Sequence, residues 1–466
     1  MMEENRNVEV VVIGAGITGL TTAFLLRERG VAVQVLEQQE EAGGQMRTHR
    51  DRGYTYESGP NTGVLSCPEI VELLQRLEPD CRVEVAQASA KNRLIWKNKS
   101  FHRLPSGLLS AIKTPLFTWK DKIGILLEPW RKRGNDINES VGELTRRRLG
   151  QSFLDYAIDP FLSGIYAGNP MTLTTRFAFP KLYNLEQEYG SFIRGAIGKR
   201  RIPKTAREKL ATKEVFSIKG GFTALVTTLA NKIGKESLSL GAKNTVISPA
   251  PDGWQVTFEQ NGQSRSISCR QVITTVGAYE LPGLLPFISE NDMRGINNLR
   301  YAPVVQAVIG VPRSKDELLH AFGGLIPSKE KEDVLGILFP SECFVDRAPQ
   351  GKALYSFFIG GVRREDLFRL SDEALRTLIA RSVHKLLKYP PETEIEILGL
   401  FRHEKAIPQY EQNTGERIAA IKKVEKEYPG LFIGGNLIDG VGISDRVKQA
   451  TRLAANVHVY AAVSAE

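Results

Sequence analysis

Residues Val8–Leu20 read VEVVVIGAGITGL, a β-branched run that passes directly into a complete GxGxxG. The segment Val8 to Ile13 has the composition of a strand buried on both faces of a parallel sheet. In the turn that follows, Gly14 permits the tight reversal, Gly16 lets main-chain amides approach a pyrophosphate, and Gly19 lets the next helix pack close to the strand. Ala15, Ile17 and Thr18 supply the intervening amides. Leu20, Phe24 and Leu25 mark the helix, and Gly30 stops it. A second strand, Val31 to Leu36, leads into Glu37-Gln38, where the Glu37 carboxylate suits the hydroxyls of a ribose and repels a 2′-phosphate. The order strand, glycine turn, helix, strand predicts an α/β fold built on a Rossmann-like dinucleotide-binding domain.

Beyond Glu37 come Gly43-Gly44-Gln45 and Arg47-Thr48. This E-x5-GG-x2-R-T arrangement resembles the doublet of the flavin amine oxidase superfamily. The resemblance implies FAD, with the Arg47 guanidinium paired to its pyrophosphate. Near the other terminus, Leu431 to Ile433 runs into Gly434-Gly435-Asn436, followed by Asp439-Gly440-Val441-Gly442 and a helical pattern from Ile443 to Val457. Amides at that helix start carry partial positive charge, which suits the N1 and C2 carbonyl side of a reduced flavin. The ring is therefore expected near Val441, Gly442 and Ile443. No Cys or His there resembles those that tether flavin, so the FAD is expected to be non-covalent. In the superfamily, Lys219-Gly220-Gly221 opens a further helix and the strand at Thr245-Val246 touches the adenine, although ordinary hairpin packing explains these two segments equally well.

With 466 residues, 42% of them hydrophobic and 25% charged, the chain can build two or three domains. The four cysteines are widely spaced and form no CxxC, which indicates neither a metal site nor a disulfide framework. The polar MMEENRN start is not a cleavable signal, and no apolar stretch is long enough to span a bilayer. These features fit a cytoplasmic protein. The formal charge of +9 admits anionic partners. No recognition module accompanies it, so nucleic acid is not expected.

The middle of the chain is similar to the protoporphyrinogen oxidase family over nearly its full length. Phe161 to Gly195, FLSGIYAGNPMTLTTRFAFPKLYNLEQEYGSFIRG, carries the resemblance, and FGGLIPSKE, GILFPSECFVDRAP, FFIGG and AIPQY follow in the family's order. Several site roles are implied. Leu325 and Leu338 sandwich one pyrrole ring, Phe358 stacks on another, and Arg93 binds a propionate. Asn61, in the run Gly59-Pro60-Asn61-Thr62, faces the flavin. Without the resemblance, Leu and Phe are ordinary core residues, and Arg93 sits in a basic stretch with Lys91, Lys97, Lys99 and Arg103 that reads as a solvated face. Some family members place an arginine after the GP pair, where this chain has Asn61 and Thr62, so the propionate contact made there is not carried over.

The implied activity is the six-electron oxidation of protoporphyrinogen IX to protoporphyrin IX in heme biosynthesis, with FAD and dioxygen, giving hydrogen peroxide. The alternatives are oxidation of coproporphyrinogen III, another amine oxidase-type reaction, or a non-catalytic binding protein on the same scaffold, like the GDP dissociation inhibitors. No residue set for metal or acid–base catalysis stands out, and the six histidines read as structural or surface residues. The expected organisation is an FAD domain from 1–85, 212–285 and 400–466, a mixed-sheet substrate domain from 86–110 and 286–399, and a helical domain over 111–211. Within the last, Leu116 to Arg133 and the basic run Lys199 to Lys209 fit peripheral contact with an anionic membrane on its cytoplasmic face, and on composition alone a solvated face fits them nearly as well. A homodimer is compatible with the sequence and not specified by it.

Overall fold

Val10, Val11 and Val12 are fully buried in the first strand, Arg6–Ile13, of the computed structural model, which describes residues 6–458. That strand lies at the centre of a seven-stranded sheet. It pairs in parallel with Val33–Leu36 on one side and with Gln263–Thr274 on the other. The long Gln263–Thr274 strand serves two layouts. Its first half closes an antiparallel meander with Gly253–Gln260 and Lys243–Ala250, and its last residues pair in parallel with Leu431–Ile433. Helices Ile17–Glu28, Phe222–Ile233 and Ile443–Asn456 cover one face and bury Leu20, Leu225 and Val447 among them.

A second seven-stranded sheet runs in the order Glu396–Pro408, Tyr301–Pro312, Lys352–Gly360, Gly336–Leu338, Gly323–Leu325, Arg93–Lys97 and Ser100–Arg103. It is antiparallel except between Gly323–Leu325 and Arg93–Lys97, so it is mixed. Helix Asp372–Leu386 packs Leu375, Ile379 and Val383 against it. Between residues 106 and 211 the described chain is helical, with a single isolated bridge from Ser140 to Thr174.

Two expected boundaries fall inside structural units. Glu396–Pro408 pairs along its length with Tyr301–Pro312, so the second sheet continues past residue 400. Helix Glu290–Asn297 buries Met293 and Ile296 in the core behind the first sheet, so that unit continues past residue 285.

Glu57 ties the dinucleotide unit together. It is 5% exposed. One carboxylate oxygen accepts the Phe222 N–H (3.0 Å) and the other accepts the Thr48 hydroxyl (2.8 Å). Burial outweighs these donors and pushes its carboxyl from 4.5 up to about 7. The folded chain thus holds this proton more tightly than the unfolded chain does. The resulting stability is complete at pH below the unfolded value and is lost as pH rises through about 7, by up to about 3 kcal/mol. Denaturation of the parent and of Glu57→Gln across this range should show the parent weakening more than the variant in that window; a difference between them that is constant with pH would refute the assignment.

Candidate functional site

The three glycines of the first turn are needed for three different reasons. Gly14 has φ +98° and donates its N–H to the Leu36 carbonyl at 2.8 Å, a left-handed geometry that favours glycine. A Cβ on Gly19 would stand 1.9 Å from the Gly14 carbonyl oxygen, so helix and turn could not approach. A Cβ on Gly16 would meet nothing within 4 Å, because it would project into open space. Helix Ile17–Glu28 begins at Gly16 with no side-chain cap, which leaves its first amides for a ligand.

The second glycine pair is drawn against this turn. The Gly43 N–H donates to the Ala15 carbonyl at 2.8 Å, and a Cβ on Gly44 would lie 3.5 Å from the Gly16 Cα. The Glu37 carboxylate accepts the Ala15 N–H at 2.7 Å and the Gln39 N–H at 3.0 Å. Each oxygen retains a lone pair for a hydroxyl.

Most of these groups border one cavity of about 1000 Å³, at the upper end of the size of ligand sites. Gly14, Gly16, Ile17 and Thr18 line one end with Glu37 and Gln38. Gly44, Gln45 and Arg47 continue the wall, and Val246 joins it from the meander. The run from Gly59 through Pro60 and Asn61 to Thr62 follows. Gly435, Asn436, Val441, Gly442 and Ile443 close the far side, where Leu338 and Phe358 of the second sheet also enter. Ala15 and Gly19 do not line the cavity; Ala15 is fully buried beneath it and acts through its amide. Arg47 pairs with the exposed Glu41 at 2.5 Å, a surface contact that a buried phosphate can displace.

Arg93 and Leu325 are not in this wall. Arg93 is exposed, with its guanidinium 5.3 Å from the centroid of the Phe322 ring. Leu325 packs behind Gly164, where a Cβ would come 2.4 Å from the Leu325 Cδ2, and it is Gly164 that faces the cavity.

Asn61 is oriented from both domains. Its Nδ2 donates to the Gly59 carbonyl at 2.8 Å, and its Oδ1 accepts the Ser356 hydroxyl at 3.1 Å. At the far end Tyr410 donates to the carbonyls of Asn436 and Gly440, each at 2.9 Å, and Tyr301 donates to the Asn436 Oδ1 at 3.1 Å. One expected cradle amide is occupied. The Gly442 N–H donates to the Asp445 carboxylate at 3.1 Å, which blunts the positive end of helix Ile443–Asn456.

The cavity also draws in side chains with no sequence motif. Gln306, 1% exposed, donates its Nε2 to the Glu57 carbonyl at 2.7 Å. His403 lines the cavity, so it departs from the reading of all six histidines as structural or surface residues. Burial lowers its pKa. The Lys405 Nζ stands 3.9 Å from the centroid of the Tyr279 ring, and both residues are lining. Arg446 comes from the first turn of the last helix. Two buried polar atoms of this wall, His403 Nε2 and Arg446 Nε, have no partner in the protein. A long polar cofactor fits these features: an uncapped helix start, an open face at Gly16, a free lone pair on each Glu37 oxygen and unsatisfied donors further along. Among the described residues no His, Cys, Asp and Glu side chains cluster as a metal site.

Comparison with known proteins agrees with this geometry. Residues 17–458 match the family model described as flavin containing amine oxidoreductase. The chain is 31% identical to the mitochondrial protoporphyrinogen oxidase of Nicotiana tabacum, over 93% of this chain and 91% of that protein. It is 26% identical to coproporphyrinogen III oxidase of Bacillus subtilis (strain 168), over 97% and 98% respectively. Its fold is similar to that of a crystal structure from Exiguobacterium sp. 255-15, provisionally named a protoporphyrinogen oxidase, with a TM-score of 0.77 and 21% identity over 98% of this chain and 99% of that one. With a dinucleotide turn, a second glycine pair and a C-terminal glycine loop around one cavity, the chain belongs to the flavin containing amine oxidoreductase family and is an FAD-dependent oxidoreductase.

Proposed function

We propose that the chain oxidises a porphyrinogen, protoporphyrinogen IX before others, to the porphyrin, with dioxygen as the final acceptor and hydrogen peroxide as the second product. The observation that carries this reading is the continuity of one cavity from the Gly16 turn to the apolar side chains of Leu338, Phe358 and Ile407 on the second sheet. Bound FAD supplies the two-electron oxidation, repeated three times for the six electrons of one porphyrinogen. The protein's part is to hold and to exclude. Glu37 accepts the ribose hydroxyls, while the uncapped amides after Gly16 and the Arg47 guanidinium hold the pyrophosphate. Asn61, fixed through both of its polar atoms, keeps an N–H proton for the ring. Leu338 and Phe358 present flat apolar contact to the macrocycle and keep water from it.

A second reading, coproporphyrinogen III, is favoured by the Bacillus relative's name. Coproporphyrinogen carries four propionates and protoporphyrinogen two. Of the cationic residues lining the cavity, Arg47 lies by the dinucleotide turn and Arg446 is held by carbonyls, which leaves Lys405. That supply of cations suits the substrate with fewer carboxylates. Anaerobic addition of each porphyrinogen to the yellow protein separates the two. Faster bleaching of the flavin and a rise in porphyrin fluorescence with protoporphyrinogen IX are expected; a preference for coproporphyrinogen III would reverse the assignment, and inertness toward both would remove it.

Peripheral membrane contact belongs to the same proposal. No helix among the described residues is long and apolar enough to cross a membrane. Helix Trp119–Leu126 has no buried residue, and Trp119, Ile123, Leu126, Leu127 and Trp130 are all exposed, interleaved with Lys120 and Lys122. An apolar stripe with flanking cations suits the surface of an anionic bilayer, the cytoplasmic face in a cell. Replacing Trp119, Ile123, Leu126 and Trp130 by serine should abolish sedimentation with phosphatidylserine vesicles and leave flavin content unchanged; undiminished sedimentation would rule this surface out.

A further inference from the structure

Arg446 projects from the first turn of helix Ile443–Asn456, is 6% exposed and borders the cavity. Every partner it has is neutral. Its Nη1 donates to the Gly435 carbonyl and, at 3.0 Å, to the Gln449 Oε1, while its Nη2 donates to the Ile438 carbonyl at 2.7 Å. Its Nε has no partner.

The charged groups around it are otherwise engaged. Asp439 is paired with Arg452 and accepts from the Gln449 Nε2 at 2.9 Å. Asp445 accepts the Gly442 N–H, and both carboxylates act on Arg446 through space without bonding it. Tyr410 spends its proton on two carbonyls. Burial lowers the Arg446 pKa from its ordinary value, but a guanidinium starts so high that it stays charged. A buried cation held only by neutral acceptors is costly, and an adjacent anion relieves that cost.

We infer that Arg446 is an electrostatic positioning residue whose guanidinium stabilises negative charge on the reduced flavin ring. This rests on the reading that the ring lies beside Val441 to Ile443. It replaces the Gly442 amide, already bonded to Asp445, as the principal source of positive charge at that end.

Sulfite tests this without turnover. It adds to N5 of the oxidised ring and leaves one negative charge on the N1 and C2 carbonyl side, so its affinity reports nearby positive charge. In purified flavin-loaded protein, Arg446→Met is expected to weaken sulfite binding about 30-fold, and Arg446→Lys, which keeps the charge, to stay within about threefold. A Met variant that retains FAD and binds sulfite as the parent does would overturn the inference, as would a Lys variant as weak as Met. The parent alone gives a further reading. Photoreduced protein should show the anionic hydroquinone spectrum in both slightly acidic and slightly alkaline buffer, and conversion to the neutral form in the acidic buffer would overturn the assignment even if the Met variant does not fold. A parent that carries no flavin would instead sink the cofactor reading and not the role of Arg446 within it.

Discussion

A chain with Gly16 replaced by valine is expected to fold and to remain colourless. Gly16 has φ −74° and ψ 176°, an extended backbone that a β-branched residue adopts readily. A Cβ there meets no protein atom within 4 Å, so the side chain starts out into open space. The added methyls would occupy the space in front of the amides that begin helix Ile17–Glu28. The expected loss of FAD affinity is about 100-fold or more, roughly 3 kcal/mol. Gly19→Val provides the contrast. Its Cβ would stand 1.9 Å from the Gly14 carbonyl, and this variant should fail to fold. Flavin absorbance per folded protein, with circular dichroism as the measure of folding, separates the two. A yellow Gly16→Val protein with parental affinity would mean that the cofactor does not pass this turn.

Leu338→Glu is expected to give yellow, folded protein with porphyrinogen oxidation reduced about 100-fold or more in kcat/KM. Leu338 is half-buried at the end of the short strand Gly336–Leu338 and borders the cavity, so a carboxylate there can reach water while the site is empty. A macrocycle lying over it would trap that charge without a partner, at a cost of about 3 kcal/mol. Phe358→Ala removes flat contact without adding charge and should cost less, about tenfold. Porphyrin fluorescence measures both variants. Rates within a few-fold of the parent for Leu338→Glu would move the substrate elsewhere in the cavity.

The dinucleotide turn is legible because each of its glycines answers a local cause. Gly14 is set by its own φ, Gly19 by an atom five residues earlier, and Glu37 by the end of the adjacent strand. The far end is legible as a wall but not as a charge distribution. That depends on which way Asp445 and Arg446 turn, and a capping carboxylate three residues into a helix can always claim the first amide.

The second sheet is harder to read. Tyr301–Pro312 is buried from Ala302 to Val311, so no alternation distinguishes Gln306, which faces the cavity, from Ala307, which faces the core. On Glu396–Pro408 the polar residues His403 and Lys405 read as a solvated stripe, and only the pairing of Val304 with His403 turns that stripe toward the cofactor side. Arg93 and Leu325 lie outside the cavity wall, Arg93 against the Phe322 ring and Leu325 against Gly164. A motif fixes a position along the chain, whereas the side of the sheet it serves depends on what stands in front, here Phe322 and Gly164.

The wall of the cavity is assembled from both ends of the chain, with Gly16 and Gly435 separated by 419 positions (435 minus 16). At synthesis rates of about 5–20 residues per second, roughly 20–80 seconds pass between the two segments leaving the ribosome. Throughout that interval the nascent glycine turn has no opposing jaw. The nucleotide can be gripped from both sides only after helix Ile443–Asn456 has emerged, which makes that helix the element that closes the cofactor site.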